Sequence, residues 1–197
     1  KIDMAVAIAN NEYRRSKIHP KKLALWIACA SMMMLFAAFT SAYVVRQAAG
    51  NWLEFQLPSL FFYSTVVILL SSLTLHGSYF SFKQGNVRLY RGLLILSLFL
   101  GLGFVVLQYM GWNQLNAIGV PLDGNPAGSF VYVISGVHAA HVLGGIAAIS
   151  LALLHAFILP YKVTERRKLR FELTLTYWHF VDFLWVYLLG FFLLTGS

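Results

Sequence analysis

Five stretches of this chain, residues 23–45, 58–82, 92–112, 127–159 and 171–195, are almost continuously apolar and contain no Lys or Arg. Each is long enough to cross the roughly 30 Å hydrocarbon core of a bilayer, which takes about 20 helical residues. Transmembrane barrel strands would instead alternate over segments of about 10 residues. In lipid every backbone N–H and C=O needs an internal partner, so runs of this length are read as helices. The expected fold class is all-α, a polytopic membrane bundle of five transmembrane helices. Composition agrees: 59% of the 197 residues are hydrophobic and 11% are charged, against about 45–50% and about 25% in globular chains. A soluble globular domain and a disordered chain are excluded.

Local punctuation supports the same division. Pro58 and Pro126 sit where a first helical turn tolerates proline, and Asn125 reads as an N-cap. Pro160 is expected to end the fourth helix, while Asn51, Asp123 and Gly124 mark loops. Trp26, Tyr43, Trp112 and Tyr161 lie near segment ends, as interfacial aromatics do. The first apolar run, about 23 residues, exceeds the 7–15 of a signal peptide core, so it reads as a retained span. No internal repeat breaks the membrane part. Residues 1–22 form a basic arm and residues 23–197 one five-helix domain.

Charge placement gives the expected orientation. All 15 Lys and Arg residues except Arg46 fall on one side of the five spans. They lie in the N-terminal arm, in the second loop (Lys83, Arg88, Arg91) and in the fourth loop (Lys162, Arg166, Arg167, Lys168, Arg170). By the positive-inside rule the N-terminus is cytoplasmic and the C-terminus outside. The net charge of +8 therefore reflects topology and anionic headgroups, and no nucleic-acid partner is expected. The run from Lys162 to Arg170 reads as a solvated or headgroup-contacting loop.

Ionisable residues inside spans are costly and mark functional or buried structural positions. Here they are His76, His138, His141, His155, Glu172, His179 and Asp182. On a helical wheel the three histidines of the fourth span share a side with Gly145, Ala148 and Ala152, a small-residue packing face, so they are expected to point into protein. Glu172, His179 and Asp182 share one face of the fifth span. At 1.5 Å per residue from the basic ends, Asp182 falls at about 17 Å and His138 at about 32 Å, so the groups look spread in depth. That spread, and a single cysteine, Cys29, argue against a metal cluster or a disulfide. His76 with His155 or His179 is the one pairing at matched depth that could face a haem. Met32, Met33 and Met34 read as lipid-facing or core filling, Gly101 and Gly103 as close-packing positions, and Gln108 as an interhelical hydrogen-bonding group.

The run FELTLTYWHFVDFLWVYLLGFFLLTGS, residues 171–197, resembles the C-terminal signature of subunit III of cytochrome c oxidase. Glu172, Trp178, His179, Phe180, Val181, Asp182 and Trp185 match that signature in order and spacing. SGVHAAHVLGG, residues 135–145, resembles the family's Ser-Gly-x-His-x-x-His-Val-x-x-Gly motif. The likeness extends over residues 22–197, with Leu57-Pro58, Ser71-Ser72 and Leu102-Gly103 with Gln108 agreeing more loosely. Five spans resemble the short bacterial form. The family's intramembrane Glu in the first shared helix is replaced here by Ala30-Ser31-Met32, and its Glu-Tyr after the third-helix Gln by Gly111-Trp112.

The resemblance implies a non-catalytic subunit of a proton-pumping haem–copper terminal oxidase in a bacterial inner membrane. It implies no cofactor in this subunit, with haem and copper in partner subunits I and II and cytochrome c as substrate of the complex. It also implies bound phospholipid, with Arg166, Arg167, Lys168 and Arg170 near the headgroups. The alternatives are the homologous subunit of a quinol oxidase or nitric oxide reductase and, in another class, a small transporter or haem-anchoring protein.

Overall fold

The structure, a computed structural model, describes residues 19–195. The arm residues Lys1, Arg14, Arg15 and Lys17 and the last two residues of the C-terminal signature lie outside the described residues. Five helices follow one another: α1 (Pro20–Ala48), α2 (Leu60–Gln84), α3 (Val87–Ala117), α4 (Pro126–Ile158) and α5 (Glu165–Thr195). All five are long and apolar enough to cross a membrane, and the described residues contain no strand. The chain is an all-α, multi-pass membrane protein.

Short capping motifs set the ends. Asn125 accepts from Ala127 N–H with Pro126 in the first turn of α4, and Pro160 follows its C-cap, Leu159. Asn86 caps α3 through Leu89 N–H, immediately after Gly85 closes α2 at φ 84°. That left-handed conformation is one glycine adopts at no steric cost. Two expectations need correction. Pro58 lies before the N-cap Ser59 and outside α2. The basic residues also sit on helices, with Arg88 and Arg91 in α3 and Arg166, Arg167, Lys168 and Arg170 in the first two turns of α5. Hydropathy bounds the part of a helix in lipid, whereas the helix continues through Lys and Arg, which are good helix formers, to the nearest cap.

Helices α2, α3, α4 and α5 pack in a ring, each against its neighbours, and α1 lies outside it against α4 and α5. α5 is the most buried of the five. Its pairing with α2 is antiparallel, marked by Tyr79 with Glu172, Ser72 with His179 and Thr65 with Trp185. Its pairing with α1 is parallel, marked by Lys22 with Glu172, Thr40 with Tyr187 and Gln47 with the Thr195 carbonyl. The Lys and Arg residues of the described chain, Arg46 apart, gather at one end of the bundle. There Arg91 donates to the Ala156 carbonyl and Arg167 to the Pro160 carbonyl. Phe99, Val106 and Leu194 show the apolar exterior expected of a lipid-facing bundle.

Candidate functional site

The motif-bearing helix α5 supplies the centre of the molecule. Trp178 and Trp185 are seven residues apart, so they share a face, and both are fully buried. Trp178 fits a socket made by two glycines on neighbouring helices. A Cβ added at Gly145 would lie 2.7 Å from its ring and one at Gly101 2.9 Å from it. No other residue type leaves room there, which is why small residues recur on these two faces. Trp185 donates its indole N–H to Thr65 at 2.9 Å and meets Phe61, Phe104 and His138. Val181 is fully buried beside them, and Phe180 is partly buried at the edge of the core.

Of the seven ionisable groups, the structure buries His138 and Asp182 and leaves His141, Glu172 and His179 half-buried. His76 and His155 are exposed on the chain, a correction to the expected burial. His155 lies one turn from the end of α4, where it borders an open cleft with Ala148 and Ala152 and is not covered by a neighbouring helix. His76 projects from the outer side of α2, away from α3.

Glu172 joins three helices: it accepts from the Tyr79 hydroxyl at 2.7 Å and pairs with Lys22 at 2.6 Å. His141 turns back on its own helix, to the Val137 carbonyl, and packs edge-on against Phe36. His179 bonds Ser72, not Asp182, and its ring lies 5.6 Å from that of His76. Asp182 and His138 have no hydrogen-bond partner among the described residues.

The groups are spread along the bundle, but the depth expected of Asp182 is corrected. Trp178 touches Gly145, Tyr177 donates to the His141 carbonyl, and Trp185 stacks on His138. This antiparallel register of α4 and α5 puts Asp182 level with His138. Counting from the start of the apolar run places Asp182 too near the basic end, because α5 begins at Glu165, six residues before that run. His138, Asp182, the Trp178 indole N–H and Gln108 Oε1 are buried polar groups with no hydrogen-bond partner among the described residues. Among the described residues no three His, Cys, Asp or Glu side chains converge as metal ligands would.

Sequence reading missed the partners Tyr79, Lys22, Thr65 and Thr40. Hydroxyls in apolar helices carry no period that singles out the few that cross to another helix. At the basic end, a cleft of about 530 Å³ is lined by Phe82, Tyr90, Leu151, Tyr161, Arg167 and Arg170, with His155 at its wall. Lys168 pairs with Glu165 at 2.9 Å, and Arg166 and Arg170 make no ion pair among the described residues.

The family model for cytochrome c oxidase subunit III matches residues 22–197. The chain belongs to that family. It is 31% identical over 172 residues to a probable cytochrome c oxidase subunit 3 of Nocardia farcinica, covering 82% of this chain and 80% of that one. It is 30% identical over 166 residues to the Mycobacterium leprae protein of the same description. It is also 27% identical over 180 residues to the cytochrome bo(3) ubiquinol oxidase subunit 3 of Buchnera aphidicola, covering 89% of this chain and 94% of that one. The chain is therefore a subunit III of the haem–copper oxidase type, and such a subunit belongs to a multi-subunit oxidase.

Proposed function

We propose that this subunit III is a non-catalytic scaffold of a cytochrome c-oxidising terminal oxidase, seated against catalytic subunit I and near subunit II in a bacterial inner membrane. The observation that carries this reading is the architecture of the two family motifs. Their residues Trp178, Trp185 and His138 pack between helices, and Asp182 is buried. Haem and copper then reside in the partner subunits, and this chain holds none. The N-terminus faces the cytoplasm, because the basic end of the bundle is held there by the positive-inside rule.

Phospholipid occupies the cleft between α4 and α5. Its walls are apolar, as acyl chains require, and Arg167 and Arg170 stand at its charged end, where a basic group near an anionic surface is worth about 1 kcal/mol. A quinol-oxidising complex is the second reading, favoured by the match to 94% of the Buchnera subunit. Affinity purification of the tagged subunit in mild detergent tests the proposal. Recovery with a large haem-bearing subunit and a subunit II carrying a copper motif supports it. A subunit II without that motif selects the quinol reading, and recovery without any oxidase subunit rejects both.

A further inference from the structure

Two imidazoles from different helices meet where α2 packs on α5. His76 of α2 and His179 of α5 have ring centroids 5.6 Å apart, with planes 50° from parallel. His179 is half-buried and His76 is exposed. His76 packs on Phe80 and makes no hydrogen bond among the described residues. His179 is held through Nδ1 by the hydroxyl of Ser72, one turn from His76 along α2. When Nδ1–H donates to Ser72 Oγ, the His179 ring is neutral and its lone pair falls on Nε2, which no described residue uses.

The spacing suits a shared metal ion. Zinc lies about 2.0–2.1 Å from an imidazole nitrogen and hence about 3.2 Å from the ring centre, so two imidazoles on one tetrahedral ion have centres about 5.2 Å apart. The observed 5.6 Å is close to this, and His76 has no hydrogen bond to give up in turning toward the ion. A ligating histidine almost always donates its other ring N–H to an oxygen that fixes its tautomer and orientation, and Ser72 stands in that place for His179. Neutral nitrogen donors suit zinc and its neighbours, whereas calcium and magnesium take oxygen. No third His, Cys, Asp or Glu joins the pair among the described residues. Water therefore completes the coordination, and an ion so held is exchangeable. An approach exists at the basic end, where Lys22, Tyr79, Glu172 and Thr176 line a cleft of about 390 Å³. Tyr79 and Thr176 each stand three residues from a histidine of the pair, so the imidazoles lie one turn below that cleft.

We propose that His76 and His179 form a two-imidazole site for an exchangeable divalent ion of the zinc class, which ties α2 to α5 when bound. The geometry of this chain carries the proposal, and it does not depend on the scaffold reading. The other membrane histidines offer no such pair. His138 is stacked on Trp185, His141 is bonded to the Val137 carbonyl, and His155 stands alone at the cleft between α4 and α5.

The test uses the full-length subunit in detergent, purified through a tag free of histidine, stripped with a chelator and titrated with zinc sulfate. One zinc per chain is expected by equilibrium dialysis, with a thermal unfolding midpoint that rises as the site fills. X-ray absorption at the zinc edge is expected to show two imidazole nitrogens and no sulfur. Ser72→Ala keeps both imidazoles but frees the His179 ring, and is expected to weaken zinc binding about tenfold. His76→Gln, at an exposed position, is expected to weaken it further and to abolish the zinc-dependent rise, while its zinc-free midpoint stays near that of wild type. His155→Gln is expected to bind as wild type does. The proposal is overturned if wild type binds zinc no more tightly than His76→Gln, or if the edge spectrum lacks an imidazole pair. It is equally overturned if Ser72→Ala binds as tightly as wild type, or if His155→Gln weakens binding as much as His76→Gln.

Discussion

His138 lies nearly flat on Trp185, with ring centroids 5.1 Å apart and planes 27° from parallel. The two residues belong to the two sequence motifs that carry the family likeness, one on α4 and one on α5. The indole is itself held by Thr65 on α2, so a single aromatic stack ties three helices at one level. The paired motifs thereby fix how α2, α4 and α5 sit against one another.

Thr65→Val removes the acceptor of the Trp185 N–H and leaves a buried donor unpaired. Such a loss costs about 1–3 kcal/mol. The expected result is a lower midpoint of thermal unfolding in detergent, with Thr65→Ser close to wild type. Equal midpoints for the Val and Ser variants would show that the bond does not hold the stack.

Gly145→Val places side-chain atoms within the space of the Trp178 ring, since even a Cβ there falls 2.7 Å from it. Overpacking of this kind costs about 1–3 kcal/mol. The loss should shrink in the double variant with Trp178→Leu, which vacates the space. A double-mutant cycle with no coupling between the two sites would contradict the socket.

The number and order of the helices are legible in the sequence, because apolar run length follows directly from bilayer thickness, and the packing face of α4 is legible at His138 and Gly145 but not at His155. Helix ends were less so. The apolar pattern stops at the edge of lipid, while α3 and α5 run on through Arg88, Arg91 and Arg166 to polar caps. That early start of α5 is also why Asp182 seemed far from the level of His138. His76 and His155 illustrate a second limit: a periodicity tells which residues share a face but not which neighbour, if any, covers it. The pairing of His179 with Ser72 depends on the register of α2 against α5, which no local pattern encodes.

Glu172→Gln weakens the link among α1, α2 and α5 by removing the ion pair with Lys22 while leaving an acceptor for Tyr79. Both partners are partly exposed, so solvent screening limits the effect to about 1 kcal/mol or less. The expected signature is a small stability difference from wild type that narrows as salt is raised. A large, salt-independent loss would mean that the carboxylate has another partner in the complex.

Orientation is checked by cysteine labelling in a Cys29→Ser background. Asp123→Cys, in the loop between α3 and α4, should react with an impermeant maleimide on intact spheroplasts. Lys162→Cys, between α4 and α5, should react only after permeabilisation. The reverse pattern would overturn the cytoplasmic placement of the basic end.

Arg170→Ala in the cleft between α4 and α5 should lower the phospholipid retained through purification, because Arg170 lines the cleft and makes no ion pair among the described residues. Lys168→Ala, whose ammonium is already paired with Glu165, should have the smaller effect. Lipid counts by mass spectrometry that rank the two the other way would contradict lipid seating at this cleft.

The scaffold role is tested most directly by stripping this subunit from the purified oxidase and measuring haem and copper in both fractions. The account predicts that all haem and copper stay with the remaining subunits, whose optical spectrum is unchanged, and that the released subunit carries neither. Haem or copper leaving in stoichiometric amount with this chain would contradict it.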